Sequence, residues 1–337
     1  MNSQPFRGCA VEMPGLQSIV VERPEMSGCY DRNSSNRHAG RGQTLRVATW
    51  NLLAPPYFRV GGGKRESAFP GRWKSRLAEQ VRVVQRLDAD VVLLQEFWFD
   101  EPQVFEFWRS HFSADYAFFG SQRTRSKADG VLTMVRHAWL DADTFEMRTI
   151  SFDDWGDRVA NVLQLGKSLP TIVNTHFTFP HGNAHDTVMR TAQARKLSEY
   201  LLTSWPGEGS GSTIVIGGDL NGDINDPACR LLHEKGFTPH TRDPFVSHVS
   251  HRGDHMGCDF VMVYSPLEAP CEERGGGILA SDAEGGEGKP CRLAFEAHDL
   301  VGRIEEIGSD AWSSDHLAVT AQFRTSLTAA HSPSHHP

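Results

Sequence analysis

Eight short β-prone segments, separated by only four segments of helical pattern, most constrain the fold of this chain. The β-prone segments are residues 45–51, 90–95, 131–135, 159–165, 171–175, 213–217, 259–263 and 317–323. Several follow one another with no helix between them, whereas a doubly wound parallel sheet needs a crossover helix between its strands. The pattern therefore predicts an α+β protein in which helices flank packed β-sheets.

The four helical segments repeat apolar residues at helical spacing or begin and end with typical helix-boundary residues. The first, RWKSRLAEQVRVVQRL, places Trp73, Leu77 and Val81 on one face. The second, EPQVFEFWRSHF, begins with an acid and Pro102, which suit a first turn. The third is DTVMRTAQARKLSEYLLTSW, and the fourth, DPACRLLHEKGF, is closed by Gly236.

Composition divides the chain into one domain and three irregular segments. Residues 1–43 are rich in Ser, Arg, Gly and Asn, which predicts a disordered N-terminal tail, and the His-rich residues 325–337 predict a second disordered tail. Residues 44–324 form the predicted domain. Within it, residues 272–290 are glycine-rich and acidic, which predicts a mobile surface insert.

Charge and targeting patterns limit the functions open to the chain. The net charge of −8 gives no support to general nucleic-acid binding and favours a small or local phosphate ligand, or a metal site. No apolar run approaches the roughly 18 residues of a membrane span. The N-terminus lacks a secretory pattern, and the six cysteines form no CxxC pair. We therefore expect an intracellular protein, cytoplasmic or nuclear, of unknown oligomeric state.

Polar residues stand where the β-prone segments end or begin. After a segment come Asn51, Glu96, His176, Asp219 and Asn221, and before one come Asp259, Asp315 and His316. Because an unpaired buried charge is costly, we expect these groups to meet one another, a metal or water.

The residue types in this set suit one kind of chemistry. Glu and Asn oxygens favour hard cations, with Mg²⁺ first and Mn²⁺ or Ca²⁺ as alternatives, and the absence of Cys disfavours structural zinc. A His paired with an Asp suits a general base, and a second His with an Asn can donate to a developing oxyanion. The set matches metal-assisted hydrolysis of a phosphate ester.

Six motifs in order, TWNLL, LLQEFW, NTHF, GGDLN, CDFV and SSDH, resemble the endonuclease/exonuclease/phosphatase superfamily, whose fold is that of deoxyribonuclease I. They extend over residues 45–323. The resemblance and the strand-rich pattern together predict a four-layer α/β/β/α sandwich of two packed mixed β-sheets. RTRSKADGVLTMV resembles the Lys-x-Asp-Gly stretch of carbon-catabolite-repressor-type deadenylases.

The resemblance implies which residues hold the metal and contact the phosphate. Glu96 and Asn51 match metal-site positions, and Asp315 matches a further acid on the metal side. Asp219 and Asn221 match the pair that orients the attacking water and contacts the phosphate.

The resemblance also implies how protons move and where substrate binds. His176 matches the phosphate-stabilising histidine, His316 the general base, and Asp259 the carboxylate that orients it. Arg125, Lys127 and Asp129, in the deadenylase-like stretch, are the predicted substrate-binding residues. No tyrosine stands in the mid-chain loop where many superfamily nucleases carry one, and Trp155 is expected to pack in a loop or the core.

The motifs FPHGN, HRGDHMGCDF and LLQEFW most resemble a plant and algal branch of the superfamily. Members of that branch often carry C-terminal EF-hands. This chain has no D-x-D-x-D-G loop ending in Glu, so we expect no EF-hand calcium site.

Three functions remain in competition on the sequence. The first is a Mg²⁺-dependent phosphodiester hydrolase, a 3′–5′ RNA exonuclease similar to the deadenylases. The second is a sphingomyelinase-like or other small-molecule phosphoesterase, and the third is an inactive binding protein on the same scaffold. The deadenylase-like stretch favours the first, the acidic charge favours the second, and the complete set of polar residues disfavours the third.

Overall fold

The structure, a computed structural model of the chain, describes residues 18–20, 44–142, 144–167, 169–205, 213–266, 292–302 and 313–326. The α-helices in this part are α1 (Pro70–Leu87), α2 (Pro102–Phe112), α3 (Ala184–Glu199) and α4 (Pro227–Glu234). The longer strands are β2 (Thr44–Asn51), β5 (Val91–Trp98), β6 (Tyr116–Gln122), β7 (Asp129–Arg136), β8 (Glu146–Ser151), β9 (Val159–Gln164), β10 (Thr171–His176), β11 (Ile214–Asp219), β15 (Asp259–Tyr264), β16 (Arg292–Val301) and β17 (Ala318–Ser326). The short ones are β1 (Ser18–Val20), β3 (Arg59–Val60), β4 (Lys64–Arg65), β12 (Thr238–Pro239), β13 (His248–Val249) and β14 (His255–Met256).

Most strands belong to two mixed sheets. The seven-stranded sheet has the order β1-β6-β7-β5-β2-β17-β16, and the six-stranded sheet has the order β12-β15-β11-β10-β9-β8. Each has one parallel pair at its centre, β2 with β5 and β10 with β11, and antiparallel pairs elsewhere. Two small hairpins, β3–β4 and β13–β14, lie outside the main sheets.

Alternating side chains place the two sheets between two helical layers. In β5, Val92 and Leu94 pack with α1 and α2, whereas Val91 and Leu93 face the other sheet. In β11, Val215 points into the space between the sheets, while Ile214 and Ile216 pack with α3 and α4. The layers are therefore helices, sheet, sheet and helices, and the predicted α+β four-layer sandwich is confirmed.

Three of the longer strands, β6, β8 and β16, were not predicted from the sequence, and neither were the short strands. β1 lies within the predicted N-terminal tail and pairs with β6. The remainder of that tail, the insert at 272–290 and residues 327–337 lie outside the described residues. No helix in the described ranges is long and apolar enough to cross a membrane.

Candidate active site

The sheet topology explains why polar residues from distant segments meet. The two central parallel pairs bring the carboxyl ends of β2 and β5, and of β10 and β11, to one edge. Asn51 lies at the end of β2, beside β5. His176 lies at the end of β10, in register with Asp219 at the end of β11. β15 runs antiparallel to β11, so Asp259 at its start lies opposite Asp219. The edge therefore collects polar groups from both sheets.

A β-bulge directs Glu96 to this edge. The register between β5 and β7 shifts between Leu94 and Phe97, and Glu96 has a φ of 52°, which is rare for a residue with a side chain. One carboxylate oxygen of Glu96 accepts a hydrogen bond from the backbone of Ala54 at 3.0 Å. Such a backbone conformation is held in place by surrounding structure and is common at functional sites.

Asn51 connects Glu96 with Asp219. Its amide nitrogen lies 3.0 Å from Oδ2 of Asp219 and 3.5 Å from Oε1 of Glu96. Its amide oxygen accepts a hydrogen bond from the backbone of Leu53 at 2.9 Å. Asn51 therefore holds a carboxylate of each sheet in a fixed position.

Glu96 lies in a concentration of negative charge. Burial, Asp129 and Asp315 raise the pKa of Glu96 to about 7, although Arg158 and the Ala54 hydrogen bond act in the opposite direction. No group in the described ranges donates a hydrogen bond to the buried Oδ1 of Asp315. A divalent cation would compensate both features, so the oxygen donors fit such an ion.

His316 and Asp259 form a buried pair. Nδ1 of His316 lies 2.8 Å from Oδ2 of Asp259. The same oxygen atom of Asp259 accepts a hydrogen bond from the hydroxyl of Ser247 at 2.6 Å. Nε2 of His316 lies 3.7 Å from Oδ2 of Asp219. Burial disfavours the charged ring, but Asp259 and Asp219 outweigh it and raise the pKa of His316 to about 10.

His176 is held neutral beside Asp219. Burial, Arg158 and Arg123 keep the pKa of His176 well below its ordinary value. Arg158 donates a hydrogen bond to Nδ1 at 2.8 Å, so the proton of the neutral ring is on Nε2. That nitrogen lies 3.4 Å from Oδ2 of Asp219, which makes His176 a neutral donor at the site.

The two glycines before Asp219 are required by close packing. A Cβ at Gly217 would lie 2.3 Å from Cδ1 of Leu93 in the other sheet, and one at Gly218 would lie 2.0 Å from the carbonyl oxygen of Thr175. After them, Oδ1 of Asp219 accepts from the backbone of Asn221 at 2.9 Å. The side-chain amide of Asn221 donates to the carbonyl of Phe177 at 3.0 Å, which orients it beside Asp219.

Asp315 meets a second histidine. Oδ2 of Asp315 lies 3.6 Å from Nε2 of His248. The His248 ring stacks on His316, with centroids 4.2 Å apart and planes at 25°. Although burial raises the pKa of Asp315, the neighbouring side chains of His248 and His316 outweigh it, so the net shift is downward. His248, Asp315 and His316 offer ligand atoms within 4.8 Å of one another.

Of the three predicted substrate-binding residues, Asp129 lies near enough to Glu96 to raise its pKa, and Arg125 and Lys127 lie in the loop that precedes β7. Asp129 is buried and accepts hydrogen bonds from Tyr57 at 2.5 Å and from Arg123 at 2.9 Å. The side chain of Arg125 is 68% exposed and pairs with Asp157 at 3.2 Å. Lys127 ends the same loop, where its carbonyl accepts from Gln122.

Sequence reasoning missed three side chains at the site, Arg158, His248 and Tyr57. Arg158 stands directly before β9, as Asp259 stands at the start of β15, so both are polar residues at the beginning of an apolar run. Tyr57 reaches Asp129 from the loop after β2 rather than from the mid-chain loop where a tyrosine was sought. His248 was one of several loop histidines with no local signal to separate it from the others.

A family profile identifies the chain. The profile described as "Endonuclease/Exonuclease/phosphatase family" matches residues 48–316. The chain belongs to the endonuclease/exonuclease/phosphatase family. Members of this family hydrolyse phosphate esters and generally use divalent metal ions.

A curated relative corrects one expectation. A protein of Arabidopsis thaliana described as an uncharacterized calcium-binding protein is 29% identical over 260 residues, 67% of this chain and 52% of the relative. The chain thus spans about half the length of that relative. The description of that relative as a calcium-binding protein contradicts the expectation that this chain has no EF-hand calcium site. The missing EF-hand loop concerns only one type of calcium site, whereas oxygen donors such as those of Glu96 and Asp315 suit Ca²⁺ in other arrangements.

Solved structures share the fold at low identity. TDP2 of D. rerio with a single-strand DNA product is 15% identical, with a TM-score of 0.55 over 83% of this chain and 98% of that one. ANGEL2, a 2′,3′-cyclic phosphatase, in complex with adenosine-2′,3′-vanadate is 16% identical, with a TM-score of 0.57 over 84% and 96%. A family protein from Bacteroides thetaiotaomicron is 16% identical, with a TM-score of 0.57 over 88% and 99%.

Proposed function

We propose that this member of the endonuclease/exonuclease/phosphatase family is a Mg²⁺-dependent phosphodiesterase that removes nucleotides from the 3′ end of RNA, with Mn²⁺ as an alternative ion. The observation that carries the hydrolytic part is the His316–Asp259 pair at 2.8 Å, with Nε2 of His316 directed toward Asp219 and the Glu96 carboxylate nearby. A base, its orienting acid and a cation-binding carboxylate then lie around one point.

Glu96, Asn51 and Asp315 are the proposed metal ligands, and the amide nitrogen of Asn51 also orients Glu96. When bound, a divalent cation would polarise a phosphate oxygen and offset the charge of these carboxylates. The side chain of Glu96 is held by Ala54, and that of Asn51 by Leu53, so the donors are oriented before an ion arrives.

His316 is the proposed general base. Asp259 accepts from Nδ1–H, which leaves Nε2 to accept a proton from the attacking water. Asp219, 3.7 Å from Nε2, is placed to orient that water. The raised pKa of His316 means that the carboxylates around it favour the imidazolium form, which must lose a proton before it can act as the base.

His176 and Asn221 are the proposed phosphate-stabilising donors. His176 is neutral, with its proton on Nε2, so it donates a hydrogen bond without forming a fixed ion pair with Asp219. Asn221 lies two residues after Asp219 and is buried with it. Preorganised donors of this kind stabilise the charge that develops on phosphate oxygens.

An RNA substrate is the finer part of the proposal. Arg125 is exposed on the loop that precedes β7, next to Lys127, and supplies positive charge on an otherwise acidic chain. Arg123, in the same loop, donates a hydrogen bond to Asp129. Asp129 lies near Glu96, and its charge adds to the effect of burial in raising the pKa of Glu96. The loop therefore supports contact with a phosphate backbone beside the reacting phosphate.

A turnover screen tests this proposal. Purified protein with Mg²⁺ or Mn²⁺ is offered poly(A) RNA, the same RNA circularised, single-stranded DNA, an RNA ending in a 2′,3′-cyclic phosphate, and sphingomyelin. We expect the linear RNA to shorten from its 3′ end, the circular RNA to persist, and Glu96→Gln to abolish turnover. The exposed Glu106→Gln is the control.

Other outcomes would replace the proposal. Cleavage of the circular RNA would show an endonuclease, and turnover of sphingomyelin without RNA cleavage would support the lipid phosphoesterase. Equal rates for wild type and Glu96→Gln would remove Glu96 from the metal site. No turnover of any substrate would favour a binding protein on this scaffold.

A further inference from the structure

Trp155 is an exposed aromatic residue next to the candidate active site. Its side chain is part of the loop between β8 and β9, and 54% of the residue is exposed. The sequence predicts that Trp155 packs in a loop or the core, and its contacts with Met189 and His181 are packing of the loop kind. This packing leaves more than half of the residue exposed and does not account for the exposed part.

The loop that carries Trp155 is anchored to active-site residues. The carbonyl of Gly156, the next residue, accepts hydrogen bonds from Arg123, which also pairs with Asp129. Arg158, three residues on, donates to Nδ1 of His176 at 2.8 Å. Three residues span at most about 10 Å, so Trp155 lies at the rim of the site.

Neighbouring side chains hold the ring at that rim. Its N–H edge contacts the sulfur of Met189 on α3, and its centroid lies 5.6 Å from that of His181, in the loop after β10. His181 also contacts the ring of Phe179 at 5.4 Å. The indole is thus supported on one side while more than half of the residue remains accessible.

The surroundings favour a nucleobase over a lipid surface as the group that covers the ring. Asp153 and Asp157, within two residues of Trp155, pair with Lys196 and Arg125, so the charges of these two carboxylates beside the ring are balanced. Among the described residues the exposed large hydrophobics are Trp155, Val188 and Phe295. One ring with few apolar neighbours is small for membrane insertion, but a single aromatic ring is enough to stack on a base.

We propose that Trp155 is a stacking platform for a nucleobase of the substrate, at the rim formed by the 153–158 loop and His181. This inference rests on the proposed phosphodiesterase function and specifies its substrate as a nucleic acid rather than a lipid. Stacking is tolerant of base identity, so Trp155 would strengthen binding without selecting a sequence.

The test compares Trp155→Ala, Trp155→Phe and Val188→Ala on short RNAs. Val188 is 62% exposed on α3 and serves as the matched apolar control. Binding is measured by fluorescence anisotropy, which does not require turnover, and KM and kcat are measured alongside. A second set of RNAs carries an abasic residue at one of the three 3′-terminal positions.

We expect Trp155→Ala to weaken binding and raise KM by about 5- to 100-fold with kcat little changed, as for loss of one stacked base. Trp155→Phe should keep most of the affinity and Val188→Ala all of it. When the abasic residue replaces the nucleotide whose base stacks on Trp155, wild type and Trp155→Ala should bind that RNA with equal affinity. If wild type hydrolyses no phosphodiester but this binding pattern is observed, the proposed reaction is wrong and the proposed stacking of a base on Trp155 is retained.

Three results would overturn the inference. One is equal RNA affinity for wild type and Trp155→Ala. Another is an equal loss in Val188→Ala, which would indicate a general apolar patch. The third is that Trp155→Ala leaves RNA binding unchanged but abolishes binding to vesicles of phosphatidylcholine and sphingomyelin, which would assign the ring to a lipid surface.

Discussion

His316 and Asp259 make the contact on which proton transfer in the proposed reaction depends. The sequence paired His316 with one carboxylate, that of Asp259. In the folded protein His316 faces Asp259, Asp219 and Asp315 together, and its pKa is raised to about 10. The number of carboxylates around one ring is set by packing between distant strands, so no local pattern could show it.

Substitutions at these residues should rank in a fixed order. His316→Ala should lower kcat by about 10²–10⁴-fold because it removes the base. Asp259→Asn should lower kcat by less, because the base remains but loses the carboxylate that orients it at 2.8 Å. Single-turnover rates on one substrate, with metal affinity measured in parallel, check the order.

The histidines provide the internal control for that order. His176→Ala should impair turnover by removing a neutral donor. If His316→Ala keeps most of the rate while His176→Ala abolishes it, the base and the phosphate donor have been exchanged in our assignment. If both retain full turnover, the hydrolytic mechanism is wrong.

At the scale of elements, strongly apolar strands and amphipathic helices could be predicted, and weakly patterned ones could not. β5 and β11 were evident because each begins with a run of buried residues that are β-branched or large and apolar. β8, EMRTIS, is an edge strand of the six-stranded sheet with one buried residue, Ile150, so it has almost no apolar pattern. β16 lies at the edge of the other sheet, and most of its side chains are exposed.

The same distinction between strongly and weakly patterned segments applies to the residues of the site. Residues at strand ends, such as Glu96 and Asp219, carry a signal in the sequence because a polar residue interrupts an apolar run. Arg158 and His248 reach the site from loops and a two-residue strand. Their contacts depend on how the β8–β9 loop and the β13–β14 hairpin fold over the sheet edge, which local sequence does not specify.

The packing of β12 against β15 predicts a loss of stability in acid. His240, directly after β12, is buried; its Nδ1 accepts a hydrogen bond from the backbone of Val261, and no group in the described ranges pairs with Nε2. Burial and nearby His298 lower the pKa of His240 to about 4. Below its ordinary pKa of about 6.5 the unfolded chain therefore binds a proton that the folded chain does not.

The free energy of unfolding should accordingly fall between about pH 6.5 and pH 4, by up to about 3 kcal/mol from this residue. His240→Asn keeps an acceptor for Val261 without the titration, so urea denaturation should show a smaller acid loss for this variant. His185→Asn, at an exposed histidine of α3, is the control. Parallel pH profiles for wild type and His240→Asn would contradict the assignment.

At the scale of the whole molecule, the candidate site exists only when the two sheets pack together. Asn51 and Glu96 belong to one sheet, and Asp219, His176 and Asp259 to the other. The amide of Asn51 spans the boundary with hydrogen bonds to both sides. A cation that binds at this edge therefore binds the folded chain and has no comparable site in the unfolded one.

Divalent cations should consequently stabilise the fold in proportion to the logarithm of their concentration. At 100 times Kd the expected gain is about 2.7 kcal/mol, or roughly 4–5 °C in Tm for a domain of this size. Differential scanning calorimetry of chelator-treated protein, with Mg²⁺, Mn²⁺ or Ca²⁺ added, measures the shift. The Tm shift with Ca²⁺ also tests whether this chain binds calcium, the property named in the description of the Arabidopsis relative.

The variant Glu96→Gln should lose most of this shift, since it removes a carboxylate whose pKa is raised to about 7 by burial and by the charges of Asp129 and Asp315. Without the cation, Glu96→Gln should be at least as stable as wild type, because the amide carries no buried charge. Glu106→Gln, on the exposed face of α2, should keep the full shift. An undiminished shift in Glu96→Gln would place the cation elsewhere, and a Ca²⁺ shift that survives while the Mg²⁺ shift is lost would show a separate calcium site.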